Sequence, residues 1–243
     1  MILGGNLPKV MQNLDKIELL SRLTTEERAE IASKCVWRTF AANEQILERS
    51  TDSRDMYFVV EGSVNIVNYG VSGREVTYAT VGEGQYFGEL SAIDGRARSA
   101  NVVANARCLL ASLSPESFQD LLMRNPAIMM SVLQRLVRII RINDDRILDL
   151  STLGAVQRVC QELLRMAEPD PVTANSWLIY PMPTQSVIAS RVSTTRETVA
   201  RVLGQLAHEG MVLKKGKTLY LKDKGAIEDY IKTLAMTSGQ SGR

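Results

Sequence analysis

The chain of 243 residues holds one histidine, His208, and three cysteines, Cys35, Cys108 and Cys160, far apart in sequence. With no second imidazole, no CxxC spacing and no even-numbered cysteine set, neither a zinc nor an iron–sulfur site is expected, and the cysteines read as buried free thiols. The same scarcity argues against a hydrolase built on clustered metal ligands or a base-activated nucleophile. No run of eighteen apolar residues occurs, so no membrane-spanning helix is expected. Met1 to Val10 lacks a charged stretch leading into an apolar run and a cleavage site, and the expected location is the cytoplasm. Neither sign of charge is in large excess, 29 Lys+Arg facing 27 Asp+Glu. That balance hides a gradient: residues 1–154 carry 17 basic and 19 acidic side chains, residues 184–224 carry 8 and 3. A basic window in a near-neutral protein suits a surface that faces nucleic acid.

What is present is a soluble composition, 45% hydrophobic and 23% charged, with length for one large or two modest domains. Thr24-Thr25-Glu26-Glu27 opens a helix predicted to reach about Lys34. From Cys35 to about Ser114 the pattern is short strands with turn punctuation. Met56–Val60 is a compact apolar run, Val64 and Ile66 alternate with polar neighbours, Gly70 to Gly73 reads as a hairpin turn, and strands follow over Glu75–Val81, Ala100–Ala104 and Cys108–Leu113. Such spacing suggests a sandwich or barrel. Ser114-Pro115-Glu116 opens a helical region, and after Asn125-Pro126 comes a long helix. Its apolar residues step by three and four through Met129, Leu133, Leu136, Ile140, Ile147 and Leu150, with Asn143 as the polar member of the seam. A two-stranded coiled coil uses this spacing; a helix packed on its own domain shows it too. After a boundary near Ser151–Gly154 a second helix spans about Ala155 to Ala167, followed by a Pro-rich irregular stretch to Pro183. The residues after about Thr237 have the composition of a disordered tail.

Two constellations carry chemistry. In the first, Gly88-Glu89-Leu90-Ser91 is followed by Arg98-Ser99. Gly88 removes a Cβ where backbone could approach a ligand, and the N–H groups of Glu89 to Ser91 could meet an anion. Arg98 offers a planar, permanently charged fork for phosphate, and Glu89 can accept from a sugar hydroxyl. This segment resembles the phosphate-binding cassette of cyclic-nucleotide-binding domains, as in the bacterial catabolite activator proteins.

In the second, two helical patterns, Thr184–Val192 and Thr195–Glu209, meet at Ser193-Thr194. Ile188, Ala189 and Val192 face Val199, Val202, Leu203 and Leu206, the design of a helix-turn-helix. Arg196 and Arg201 can take guanine O6 and N7 in bidentate fashion, and Glu197 can accept from the cytosine N4 amine. Lys214, Lys215 and Lys217 lie in a basic turn between two short strands, a wing suited to phosphate; Thr184, Ser186, Thr195 and Thr198 are further candidates for phosphate contacts. Arg196-Glu197-Thr198-Val199-Ala200-Arg201 is similar to the catabolite activator's recognition helix. There the family often has glycine where Ser193 stands. A positive φ at that serine would cost about 1 kcal/mol.

The resemblance, covering about Ile17 to Lys222, is to the catabolite-activator/fumarate-nitrate-regulator family of bacterial transcription regulators. It implies an α+β protein: an N-terminal nucleotide-binding β-jelly-roll (1–124), a long dimerisation helix (125–153), a C-terminal winged helix-turn-helix (154–225) and a terminal helix with a disordered tail (226–243). It also implies a homodimer on a palindrome of TGTGA half-sites, centred about 34 Å apart. Oxygen-sensing members use clustered N-terminal cysteines and haem-sensing members need axial ligands in the sensor, and neither set is here. The nucleotide-sensing branch is implied instead, with Ile66, Tyr78 and Phe87 walling the sugar and base and Asn143 and Asp144 touching the base. Asn143 could equally set seam register without touching ligand. Where the catabolite activator has hydroxyl residues this chain has Asn143 and Asp144, and it is one residue shorter between Gly-Glu-Leu and Arg-Ser. The expectation is cAMP first, with cGMP a co-ligand. Without an anion, Arg98 would be a partly buried charge with no partner. The loop Ala167 to Trp177 matches the region through which related activators touch RNA polymerase. The alternative is a regulator of the same fold that answers another effector, or none.

Overall fold

The computed structural model describes residues 13–70, 75–173 and 176–240, with side chains described through Leu234. The chain divides into two compact units, Met1–Ile139 and Ile140–Arg243. The division falls inside the long helix, so the segment 125–153 is shared between the units.

In the first unit a 3-10 turn, Glu18–Leu20, precedes α1 (Thr25–Lys34). A capping box starts α1: the Glu27 N–H donates to Thr24 Oγ1 at 3.2 Å, and the Thr24 N–H to Glu27 Oε2 at 2.8 Å. The strands that follow among the described residues are β1 (Val36–Phe40), β2 (Gln45–Leu47), β3 (Met56–Glu61), β4 (Ser63–Tyr69), β5 (Glu75–Gly82), β6 (Tyr86–Phe87), β7 (Asn101–Ala104) and β8 (Cys108–Leu113). The short helix α2 (Glu89–Asp94) lies between β6 and β7. The strands form two antiparallel sheets, ordered β1-β8-β3-β6 and β2-β7-β4-β5, which is the expected jelly-roll. The Gly70–Gly73 turn lies mostly outside the described residues; β4 and β5 pair on either side of it, Tyr69 opposite Glu75.

In the first sheet the central strands β3 and β8 are buried on both faces, and strand periodicity explains their uninterrupted apolar runs. On β3, Val59 points into the core between the sheets, while Met56, Phe58 and Val60 point into a second core. On β8, Leu110 joins the first core, and Leu109, Ala111 and Leu113 the second. Helices roof that second core. Phe118 and Leu121 come from α3 (Pro115–Arg124), capped by Ser114 with Pro115 in its first turn; Ile128 and Val132 come from α4 (Pro126–Thr152).

The second unit holds the rest of α4, then α5 (Ala155–Met166), β9 (Glu168–Pro169), β10 (Trp177–Ile179), α6 (Gln185–Arg191), α7 (Arg196–His208), β11 (Val212–Lys215), β12 (Thr218–Leu221) and α8 (Lys224–Gln240). A sheet ordered β11-β12-β10-β9 carries the wing hairpin. Ile188 of α6, Val199, Val202 and Leu206 of α7, Cys160 and Leu163 of α5, and Leu221 share one core. Helix α8 runs to Gln240, past Thr237, where composition had suggested that ordered structure ends.

Candidate functional site

The cassette is assembled where β6 turns into α2. Gly88 sits at φ 86°, in the left-handed region. A Cβ there would lie 2.8 Å from the Asp55 carbonyl oxygen and 3.0 Å from Arg98 Nη1. The expectation that this glycine clears room for a ligand is therefore corrected: it clears room for the chain's own Asp55 and Arg98. Arg98 is 4% exposed. Its Nη1 donates to the Gly88 carbonyl at 3.2 Å, and its Nη2 to Ser53 Oγ at 2.8 Å and the Asp55 carbonyl at 2.7 Å. The Tyr57 ring lies 5.7 Å from the guanidinium carbon. Arg98 is thus not without partners, as the sequence had suggested. Its partners are neutral oxygens, no carboxylate reaches it as an ion pair among the described residues, and its Nε is buried without an acceptor. Burial presses its pKa down, against the opposing pull of Tyr57, Asp55 and Glu89.

Glu89 is buried at the first position of α2, and burial pushes its carboxyl above the usual range, opposed first by Arg135, then by its own backbone N–H and last by Arg98. Arg135, which the sequence reading missed, lies over the Tyr86 ring at 4.0 Å and donates from Nη2 to the Tyr86 carbonyl at 2.6 Å. A signal was available. Ile128, Val132 and Arg135 share a helix face that turns into the core, so a charge there needs a partner. Ser53 and Tyr57 were also missed.

The remaining expected residues divide. Ser91 is buried, its Oγ within 3.5 Å of the Ala97 carbonyl, whereas Leu90 and the Ser99 side chain are exposed. Ile66 is half-buried on β4 and Tyr78 exposed on β5. Asn68 links this edge to the cassette, its Nδ2 donating to Tyr78 Oη at 3.1 Å and the Ser99 carbonyl at 3.2 Å. Phe87 is a correction: it is 1% exposed and stacks on Tyr57 at 5.0 Å within the core between the sheets, so it is packing and not a wall. Asn143 and Asp144 are exposed on the second unit's part of α4.

The long helix also corrects its expected seam. Leu133, Ile140, Ile147 and Leu150 are exposed, but Met129 and Leu136 pack on the first unit's own core. Met130 and Val137 are the exposed apolar residues in their place.

In the second unit, α7 carries Arg196, Glu197 and Arg201, all exposed. The Glu197 carboxyl is held below its usual range first by its own backbone N–H, then by the Thr195 hydroxyl. Thr184 and Thr195 are helix N-caps, their Oγ1 atoms accepting from the N–H groups of Val187 and Thr198, and Thr195 and Thr198 share a hydroxyl contact of 3.1 Å. Three of the expected phosphate contacts thus build helix ends first; Ser186 is exposed. Between the helices Ser193 has φ 52°, and Arg158 fixes the turn by donating to the carbonyls of Val192, Ser193 and Leu153. Lys214, Lys215 and Lys217 are exposed along the wing. Among the described residues no His, Cys, Asp or Glu cluster could hold a metal ion. Burial pushes the thiols of Cys35 and Cys160 up to about 12 and that of Cys108 to about 11. No helix among the described residues is long and apolar enough to cross a membrane.

A jelly-roll followed by a winged helix-turn-helix defines the class, a DNA-binding transcription regulator. Residues 37–125 match the cyclic nucleotide-binding domain, and residues 157–230 match the Crp-like helix-turn-helix domain. The chain is 28% identical over 189 residues to the cAMP-activated global transcriptional regulator CRP of Salmonella typhimurium, covering 77% of this chain and 90% of that protein. It is 28% identical to the cAMP-activated regulator Vfr of Pseudomonas aeruginosa, over 78% of this chain and 91% of that one. In fold it resembles a CooA variant from Carboxydothermus hydrogenoformans, with TM-score 0.74 and 18% identity over 91% of this chain and 98% of the other. The chain belongs to the CRP/FNR family of transcription regulators, and not to a family of enzymes.

Proposed function

We propose that the protein is a cyclic-nucleotide-dependent homodimeric regulator of the bacterial cytoplasm, with cAMP its first ligand and cGMP a second. The observation that carries this is Arg98: a buried guanidinium held by neutral oxygens alone, with a buried Nε left to donate. A buried cation without a counter-charge is costly, and a cyclic phosphodiester supplies that charge. Glu89 takes the ribose hydroxyl, the N–H groups of Glu89 to Ser91 and the Ser99 hydroxyl take phosphate, Ile66 and Tyr78 flank the sugar and base, and Asn143 and Asp144 contact the base. Two copies pair through Leu133, Ile140 and Ile147, with Met130 and Val137 completing the seam. The nucleotide acts by binding one arrangement of that pair more tightly than the other. Arg196, Glu197 and Arg201 read a TGTGA palindrome, and Lys214, Lys215 and Lys217 hold its phosphates. The loop 167–177 is the candidate surface for RNA polymerase.

Calorimetric titration with cAMP and with cGMP, followed by gel shift on a TGTGA palindrome with each, tests the reading. Binding of cAMP with a nucleotide-dependent shift supports it. Binding of neither nucleotide, with DNA retained unaided, would leave a regulator of the same fold that answers another effector or none.

A further inference from the structure

Glu162 of α5 is 1% exposed, and three arginines surround its carboxylate. Oε1 accepts from Arg146 of α4 at 3.2 Å and from Arg191 of α6 at 3.4 Å; Oε2 lies 3.7 Å from Arg165. Arg165 in turn pairs with Asp149 of α4. Three helices therefore meet on one acid. Two of the guanidinium groups share a single oxygen, and Arg146 disfavours the charge on Arg191 while Glu162 favours it.

A buried ion cluster of this kind adds little stability over well-packed apolar side chains, because desolvation offsets the attraction. What it imposes is geometry, since each charge must keep its partner. Here the geometry joins α4, which carries the exposed apolar stripe, to α6, which packs against the recognition helix α7 through Ile188 and Val199. We infer that Glu162 and Arg191 are positioning residues for DNA reading: their ion pair holds α6 to α5, the Arg146–Glu162 pair holds α5 to the C-terminal part of α4, and α7 follows the long helix through that relay. Neither residue lies on α7 or on the wing. The idea rests on α7 being the base-reading element.

Arg191→Met keeps a side chain of similar length and removes the guanidinium that shares Glu162 Oε1 with Arg146. This gives the test its sign. In the full-length protein, Arg191→Met is expected to keep or raise the melting temperature and to leave cAMP affinity unchanged. It should also speed amide hydrogen exchange over residues 188–199 and weaken binding to a TGTGA palindrome about fivefold or more, the loss of one base contact. Glu162→Gln, which takes the carboxylate from between the guanidiniums, should lower the melting temperature, and Arg191→Lys should restore part of the DNA affinity. A merely structural role would move melting temperature and DNA affinity downwards together. Unchanged exchange and unchanged DNA affinity in Arg191→Met would overturn the inference. If the wild type itself ignores the palindrome, the operator assignment fails, and the exchange rates alone still decide on the lock.

Discussion

Arg158 and Ser193 are joined by a hydrogen bond of 3.2 Å, from guanidinium to the carbonyl of the residue whose backbone turns to φ 52°. The same arginine holds the Val192 carbonyl at 2.9 Å, so the turn between α6 and α7 is restrained from outside. Serine in the left-handed region carries strain that glycine does not. Ser193→Gly is expected to stabilise the protein by up to about 1 kcal/mol, and Arg158→Met to destabilise it by about 2 kcal/mol, both read from thermal melts. A less stable Ser193→Gly would mean that Arg158 has already removed the strain.

Arg98 predicts opposite effects on stability and on binding. Arg98→Met loses the hydrogen bonds to Gly88, Ser53 and Asp55 but also removes a buried charge that has no carboxylate partner among the described residues; relief of that desolvation offsets the lost bonds, so the free protein should be at least as stable. Its affinity for cAMP should fall about 100-fold or more, the scale for removing one member of a buried charge pair. Melting curves and calorimetry on the same sample check both, and retained affinity would remove Arg98 from the site.

Glu89 gives a pH signature. Its folded pKa is raised above the ordinary 4.5, chiefly by burial. The folded state thus holds its proton more tightly than the unfolded chain, and this contribution is present below 4.5 and lost as pH rises through the folded value. Glu89→Gln does not titrate, so its stability relative to wild type should grow from acid towards neutral pH and then level off. Melts across that range would show it; a gap that narrows with rising pH would contradict the sign.

Ser53 accepts from Arg98 at 2.8 Å and also meets the Tyr57 hydroxyl. Ser53→Ala should weaken cAMP about fivefold through a less well-held guanidinium, with Ser53→Thr near wild type, by calorimetry. Equal losses in both variants would point to simple packing.

The exposed stripe on α4 predicts the state of assembly. Val137→Asp, or Leu133→Asp, should shift sedimentation from dimer to monomer without lowering the melting temperature of the first unit, since neither side chain is buried within it. Met129→Asp should instead destabilise the fold, because Met129 packs on the core.

Much of this architecture was legible because its signals are local. Capping at Thr24 and Ser114, the runs at 56–60 and 108–113, and the paired apolar faces of α6 and α7 need only neighbours in sequence. The errors arise where one residue of offset matters. Phe87 follows Tyr86 in a two-residue strand, too short for alternation to say which face is inward. Along α4 both Met129 and Met130, and both Leu136 and Val137, are apolar, so periodicity allows two frames and only the packed core chooses. Arg135 against Glu89, Ser53 against Arg98 and Glu162 against Arg191 join residues 46, 45 and 29 positions apart. No spacing rule reaches that far.

Residue 88 sets a boundary for anyone retuning the protein to a different effector. A methyl group there would strike backbone on one side and a guanidinium on the other. Libraries that vary the exposed position 78 start from an unstrained backbone, whereas any side chain at 88 begins with a strained φ and a backbone collision, whatever compound is used for selection.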